Sequence, residues 1–148
     1  MGTRSTIAYK EGNKIRSVYC HWDGYLSHNG HILQNFYQEA RKIGQLIELG
    51  DMSSLGAQLG EQHDFNESCN AETLADTVCT FYGRDRGEHG VEACEFDTVQ
   101  DWLAHYGWSE YAYLWINGEW LFWQGERDAE EQPMFKRLDS NLLETVEV

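Results

Sequence analysis

The sequence predicts an α+β domain in which an antiparallel sheet, built from an N-terminal and a C-terminal hairpin, carries helices packed on one face. Pairs of β-rich runs stand near both ends of the chain, over residues 6–20 and 111–123. Helical periodicity lies between them, over residues 32–47 and 98–106. The chain of 148 residues is long enough for one packed core, since 41% of it is apolar and 14% aromatic.

The N-terminal hairpin is expected to pair residues 6–9 with residues 15–20 across a loop that contains Gly12. Apolar residues then recur at steps of three and four over residues 32–47, and Gly50 is a typical helix stop. This pattern fits one helix or two short helices broken near Gln38.

The middle of the chain gives weaker signals. Residues 51–56 have the composition of a turn, residues 70–73 could open a short helix, and residues 77–82 have strand composition. Residues 98–101, Thr-Val-Gln-Asp, resemble a capping box and are followed by an apolar stripe, which predicts a helix from about 98 to 106.

The C-terminal hairpin is marked by Asn117-Gly118 between two apolar runs, because a type I′ turn needs positive φ at both central residues. The implied register puts five aromatic side chains on one face: Tyr111, Tyr113, Trp115, Trp120 and Phe122. The other face is mainly aliphatic, and we expect it to meet the helices. The aromatic face, including Trp115 and Trp120, is then expected to be covered or to bind a partner.

Residues 1–125 are expected to form a single domain, because the chain contains no internal repeat and no linker-like composition. Residues 126–148 form an acidic tail. Apolar residues at near-helical spacing predict a short closing helix in this tail: Phe135, Leu138, Leu142 and Val146.

The net charge of −14 is unevenly distributed along the chain. Residues 43–83 contain seven acidic residues and residues 87–126 contain eight, and neither window contains Lys or Arg. These carboxylates give the surface a negative electrostatic potential, which repels nucleic acid and anionic membranes and attracts basic partners. The alternative is that the acidic residues only keep the protein soluble. Four cysteines without a Cys-x-x-Cys pair, and no apolar secretion or membrane-spanning segment, predict a cytoplasmic protein with reduced thiols.

Residues 19–31, Tyr-Cys-His-Trp-Asp-Gly-Tyr-Leu-Ser-His-Asn-Gly-His, form the densest polar block, between a predicted strand and a predicted helix. Four of its side chains could hold a divalent metal such as Zn²⁺: His21, Asp23, His28 and His31. The first two share a face of an extended segment, and the last two share a face of a helical turn. The alternative is that they bind the loop backbone and cap the following helix. Trp22 and Tyr25 complete this candidate binding surface.

Residues 83–88, Gly-Arg-Asp-Arg-Gly-Glu, contain the only two Lys or Arg residues between positions 43 and 126. On an extended segment, Arg84 and Arg86 would form a fork suited to phosphate or carboxylate. The alternative is an internal ion-pair network with surrounding acids. Asp85 and Glu88 belong to the same candidate site.

Five motifs carry a resemblance, and they follow one another in a fixed order. They are MGTRSTIA at 1–8, YCHWDGY at 19–25, GDMSSL at 50–55, YGRDRGE at 82–88 and EYAY at 110–113. The ordered set resembles a group of small proteins encoded in tailed-phage and prophage genomes, and the match extends to about residue 123. The resemblance implies a phage accessory gene product, and it supplies no catalytic residues.

We therefore expect a binding protein that acts in the host cytoplasm on a host protein with a basic surface. A nucleic-acid-handling enzyme or an anti-phage defence factor would fit, and we expect no direct contact with nucleic acid or membrane. The alternative is a metal- or nucleotide-binding enzyme in which the histidine block works with Arg84 and Arg86. That reading requires both blocks to meet in one pocket. A third possibility is a minor structural or packaging component.

Overall fold

The computed structural model describes residues 2–65 and 73–138, together with the backbone of one short strand at 145–146. One mixed sheet runs through the molecule. Its strands are β1 (Ser5–Glu11), β2 (Lys14–Cys20), β3 (Met52–Ser54), β4 (Thr80–Phe81), β5 (Cys94–Phe96), β6 (Tyr111–Ile116), β7 (Glu119–Trp123), β8 (Phe135–Arg137) and β9 (Thr145–Val146). The strand order is β4-β3-β2-β1-β6-β7-β8-β9, and β5 pairs with the same edge of β2 as β3 does.

The helices are short. They are α1 (His31–Phe36), α2 (Ala40–Glu48), α3 (Tyr82–Arg86) and α4 (Val99–His105). A π-helical turn at Leu26–Gly30 leads into α1, and a 3₁₀ turn spans Leu74–Asp76. Within the described residues, no helix combines the length and apolarity needed to cross a bilayer.

The α+β class is confirmed, and both predicted hairpins are present. The C-terminal hairpin has the expected register, with Trp115 opposite Trp120 and Ile116 opposite Glu119. The sheet is mixed rather than antiparallel throughout, because the two hairpins meet through a parallel pairing of β1 with β6. A second parallel contact joins β2 to β3.

Helices cover both faces of the sheet, not one as predicted. α1 and α2 pack on the face that contains Ile7 and Tyr113, whereas α4 packs on the face that contains Ala8 and Leu114. Adjacent strand residues point to opposite faces, so both predicted faces of the C-terminal hairpin are buried.

The aromatic face of this hairpin is therefore core rather than a binding surface. Trp115 is 9% exposed and Trp120 is 1% exposed. The indole N–H of Trp120 donates to the main-chain oxygen of Tyr37 at 2.8 Å, which satisfies its one polar atom in the interior. Of the two outcomes expected for this face, the structure shows that it is covered, because α1 and α2 pack over it. The expectation that Trp115 and Trp120 bind a partner is therefore corrected.

The predicted closing helix is also wrong where the tail is described. β8 pairs antiparallel with β7, and β9 pairs antiparallel with β8. Phe135 and Leu138 are three residues apart and enter the cores on opposite faces of the sheet, as extended backbone allows. Leu142 lies outside the described residues.

The other local predictions are met in part. The region 32–47 forms two helices, α1 and α2, with the break at residues 37–39. α4 begins after Thr98, whose Oγ1 accepts the amide of Asp101 at 3.0 Å. Residues 51–56, predicted as a turn, contain β3, and the strand predicted at 77–82 is reduced to β4. The helix start predicted at 70–73 lies largely outside the described residues.

Candidate functional site

The loop that follows β2 is held by a buried amide side chain that sequence reasoning missed. Asn29 is fully buried, and its Nδ2 donates to Ser5 Oγ and to the main-chain oxygen of Trp22, both at 3.3 Å. The main-chain N–H of Asn29 donates to the main-chain oxygen of Asp23 at 3.2 Å. The Asn29 side chain thus connects the loop to Ser5 of β1 and to the main chain of Trp22 within the loop. These hydrogen bonds hold the loop in one conformation.

Gly24 lets this loop lie directly on the N-terminal segment. Its amide donates to the oxygen of Thr3 at 2.8 Å, and its own oxygen accepts the hydroxyl of Tyr113 at 2.6 Å. A Cβ at this position would lie 2.8 Å from both Ser5 Cβ and Thr3 O, so no larger residue fits without displacement.

The four predicted metal ligands do not converge. His21 Nδ1 bonds with the Tyr19 hydroxyl, and Asp23 Oδ1 accepts the Tyr25 hydroxyl at 3.1 Å. His28 Nδ1 lies 3.0 Å from the Asn29 side-chain oxygen, and His31 Nδ1 lies 3.2 Å from Nδ2 of Asn35. Over residues 2–65 and 73–138, no three His, Cys, Asp or Glu side chains group in a way that could hold a metal ion.

A backbone feature accounts for part of this separation. Asp23 has a φ of +57°, which breaks the extended alternation that would point its side chain the same way as that of His21. The four side chains instead bond with neighbouring side chains. Neither the π-helical turn nor α1 has a side-chain cap, so the expected capping role is not met either. The structure therefore does not assemble the predicted divalent-metal site.

The second predicted block lies on α3 and not on an extended segment, so Arg84 and Arg86 do not form the expected fork. Arg84 reaches back into the protein. Its Nη1 donates to the oxygens of Leu59 and Gly60 at 2.8 and 3.0 Å, and its Nη2 donates to the oxygen of Cys79 at 3.1 Å. These bonds make Arg84 an internal brace.

Asp85 is the buried partner of that brace. Arg84 Nε donates to it at 3.0 Å, and the amides of Phe81 and His63 donate at 2.8 and 3.1 Å. Burial alone would raise the pKa of Asp85, but the hydrogen bonds from Arg84 and the two amides outweigh it, and the pKa is lowered. The carboxylate is thus held ionised as a structural group.

Arg86 and Glu88 lie at the surface and face each other. Arg86 Nε is 3.5 Å from Glu88 Oε2, and its guanidinium lies 5.1 Å from the ring centre of Phe65. The arrangement is the ion-paired alternative rather than an open anion clamp. Arg84 and the histidine block thus direct their side chains to different neighbours.

A surface of linked aromatic rings lies at the start of the histidine block. We call it the aromatic patch and define it as Tyr19, His21, Trp22 and Trp108. The ring centres of Trp108 and Tyr19 are 4.8 Å apart, those of Tyr19 and His21 are 6.0 Å apart, and those of His21 and Trp22 are 4.6 Å apart. All three contacts are edge-to-face, a favourable geometry for aromatic pairs.

The two ends of the patch are open to solvent. Trp22 is 42% exposed and Trp108 is 49% exposed, and nearby Tyr25 is 38% exposed. These are the exposed large hydrophobic side chains of the described residues. Sequence reasoning singled out Trp22 and Tyr25 but missed Trp108, which follows α4 directly after Gly107 and has no place in the apolar stripe of that helix.

The patch is close to uncharged at neutral pH. Burial and the nearby positive charge of Arg4 lower the pKa of His21, and burial raises the pKa of Tyr19 to about 12. The Tyr19 hydroxyl therefore keeps its proton and shares a hydrogen bond with Nδ1 of a neutral His21 ring. Arg4 supplies one cation, with its guanidinium 6.0 Å from the ring centre of Trp108.

This combination of rigid, half-exposed indoles with a few satisfied polar groups suits recognition of an apolar feature on another molecule. No protein-family model, no curated protein and no solved structure matches the chain, so its own residues carry what can be inferred about function.

Proposed function

We propose that this is a phage-encoded acidic accessory protein that binds a host protein through the aromatic patch and modulates it. The observation that carries the proposal is the exposure of Trp22 and Trp108 at the two ends of one connected set of rings. Tryptophan is enriched among the residues that dominate binding energy in interfaces, and nearly half of each of these two side chains is open to solvent.

Rigidity of the frame supports the same reading. The strand β2 places Tyr19, and the bonds of Asn29 and Gly24 fix the loop that presents Trp22. A surface that is already ordered loses less conformational entropy on binding, so more of its contact energy appears as affinity.

The negative charge of the protein favours a partner with a basic surface. Within the described residues, three exposed carboxylates without an ion pair lie on the segment that runs through β5 into α4: Glu92, Glu95 and Asp101. This segment pairs with residues 15–17 of β2, the strand that also carries Tyr19 of the patch. With a net charge of −14, the protein suits a partner whose apolar pocket is rimmed by Lys and Arg. Surfaces that bind nucleic-acid phosphates have this character, which favours a nucleic-acid-handling enzyme or a defence factor of the host.

The test is retention of host protein from lysate by three immobilised forms of the full chain at low salt. The forms are wild type, the double variant Trp22→Ala/Trp108→Ala, and a control, Gln38→Ala/Gln62→Ala, that replaces exposed polar residues outside the patch. Circular dichroism and thermal melting first establish that all three are folded.

We expect wild type and control to retain the same protein in stoichiometric amount, and the tryptophan double variant to lose it. Retention should weaken as salt is raised, because part of the attraction is between opposite charges. Equal retention by all three forms, or by none of them, would refute the proposal.

A further inference from the structure

A groove with a volume of about 710 Å³ lies between the β1–β2 hairpin, helix α2 and the segment at residues 59–61. It is separate from the aromatic patch, since none of the patch residues lines it. Six lining residues carry the inference: Tyr9, Arg16, Arg41, Gly44, Leu49 and Leu59. We refer to this feature as the α2 groove.

Gly44 opens one wall of the groove. It lies in the middle of α2, where glycine is a poor helix former. A Cβ at this position would meet no heavy atom within 4 Å, so internal packing does not require glycine there. The absence of a side chain instead leaves space above the helix backbone, within the groove.

Two arginines line the groove without an ion-pair partner. Arg16 projects from β2 and Arg41 from α2, and within the described residues neither has a carboxylate oxygen within salt-bridge distance. Among the described residues, the Arg16 guanidinium makes one hydrogen bond, a long one of 3.4 Å to the Tyr9 hydroxyl. Glu48 and Glu11 attract Arg16 from beyond salt-bridge distance. Neither guanidinium is in a direct ion pair in the part of the chain that the structure describes, so both keep N–H donors that an anion can take.

The rest of the lining restricts what that anion can be. Leu49 and Leu59 supply apolar surface. Three glutamates also line the groove: Glu11, Glu48 and Glu61. These carboxylates would repel a polyanion such as nucleic acid or polyphosphate, and they can accept hydrogen bonds from hydroxyl or amino groups.

We propose that the α2 groove binds a small amphipathic anion. The ligand carries one oxyanion, which Arg16 and Arg41 hold, and an apolar or aromatic body, which lies on Leu49 and Leu59 beside Gly44. Phosphate monoesters and carboxylic acids both present this chemistry. None of the patch residues lines the groove, so this site does not rest on the proposed binding function.

The test uses 8-anilinonaphthalene-1-sulfonate, a fluorescent oxyanion with an aromatic body, in titrations of the full chain. Phenyl phosphate and phenylacetate then serve as competitors, to separate the phosphate from the carboxylate source. The variants are Arg41→Gln, which removes one guanidinium, and Gly44→Leu, which fills the groove. Lys10→Gln is the control, because it makes the same charge change at an exposed position outside the lining.

We expect one saturable dye site that at least one competitor empties. Arg41→Gln should weaken dye binding at least fivefold and Gly44→Leu at least tenfold, while Lys10→Gln stays within twofold of wild type. Leucine is a better helix former than glycine, so loss of binding in Gly44→Leu is not a loss of the helix. Absence of a saturable site, failure of both competitors, or equal affinity in all variants would overturn the proposal.

Discussion

The main-chain N–H of Tyr19 donates a hydrogen bond to Oδ1 of Asp51, 2.9 Å away, where one edge of β2 changes its partner strand. Residues 15–17 of that edge pair with β5, and Cys20 pairs with Met52 of β3. The Asp51 carboxylate occupies the interval between the two strands and satisfies an amide that neither strand reaches. Because Tyr19 is one of the two inner rings of the aromatic patch, Asp51 also fixes the base of the candidate binding surface.

The first prediction concerns the cost of ionising Asp51. Burial raises its pKa from 3.8 to about 6, even though the bond from Tyr19 acts in the opposite direction. Between pH 4 and 6 the unfolded chain releases this proton and the folded chain retains it, so the Asp51 contribution to the free energy of unfolding falls as pH rises. Asp51→Asn removes that loss and keeps an oxygen for the Tyr19 amide.

The variant should match wild type near pH 4 and exceed its stability by about 1–2 kcal/mol at pH 7, because Asp51 is only partly buried and solvent screens part of the cost of ionising it. Urea unfolding at both pH values measures the difference. Glu130→Gln, at an exposed carboxylate, serves as the control. A stability difference for Asp51→Asn that stays constant from pH 4 to 7 would contradict the prediction.

The second prediction concerns the Arg84–Asp85 brace, whose pH dependence has the opposite sign. Because the pKa of Asp85 is lowered from 3.8, its stabilising contribution is complete above about pH 4 and is lost as the pH falls further. Asp85→Asn at pH 7 should cost about 2–4 kcal/mol, since it leaves the Arg84 guanidinium buried without its counter-charge.

Arg84→Lys should also destabilise, because an ammonium cannot reach Leu59, Gly60 and Cys79 together with Asp85. Denaturant unfolding measures both variants, and Arg86→Lys at the exposed neighbouring pair is the matched control. If Arg84→Lys and Arg86→Lys cost the same, Arg84 does not act as a brace.

The hairpins and α4 could be predicted from the sequence because their signals are local: Asn117-Gly118 fixes a turn, and Thr98 caps a helix. The pairing of β1 with β6 could not, because 99 residues separate the end of β1 from the start of β6 and no local rule selects that neighbour. The pairing of β1 with β6 also places the aromatic face of the C-terminal hairpin under α1 and α2, so its burial could not be predicted either.

The candidate site was predictable to the same limited degree. The polar block around Trp22 marked the correct loop, since its composition is unlike that of an ordinary strand or helix. Trp108 lies 86 residues after Trp22 in the chain, and only the folded structure brings it into contact with Tyr19. Spacing alone could not show that His21 and Asp23 point apart, because spacing along an idealised strand takes no account of the left-handed backbone at Asp23.

The third prediction separates core tryptophans from surface tryptophans. Trp120→Ala should cost about 3–5 kcal/mol, because it removes a buried indole and leaves the Tyr37 oxygen without its donor. Trp108→Ala should cost less than about 1 kcal/mol, because about half of that side chain is already in water. Thermal and chemical unfolding measure both variants. Equal costs would mean that Trp108 is part of the core and that the aromatic patch is not a free surface.

The fourth prediction compares two glycines that occupy opposite environments. Gly44→Ala should stabilise the protein by about 0.5–1 kcal/mol, because the helix interior favours alanine and the new methyl group meets no atom within 4 Å. Gly56→Ala should destabilise it by about 1–3 kcal/mol or more. There a Cβ would lie 2.5 Å from the carbonyl carbon of Val78 and 2.7 Å from that of Thr77.

The main chain at Gly56 cannot move away cheaply, because its amide donates to Cys79 Sγ at 3.2 Å and its oxygen accepts the Tyr37 hydroxyl at 2.6 Å. Urea unfolding of both alanine variants against wild type measures the two effects in one series. A destabilised Gly44→Ala would show that glycine is needed for the fold of α2, and the open wall of the α2 groove would then have a structural cause. A stabilised Gly44→Ala would mean that the chain keeps glycine there at a cost to folding, as expected where a ligand approaches the helix backbone.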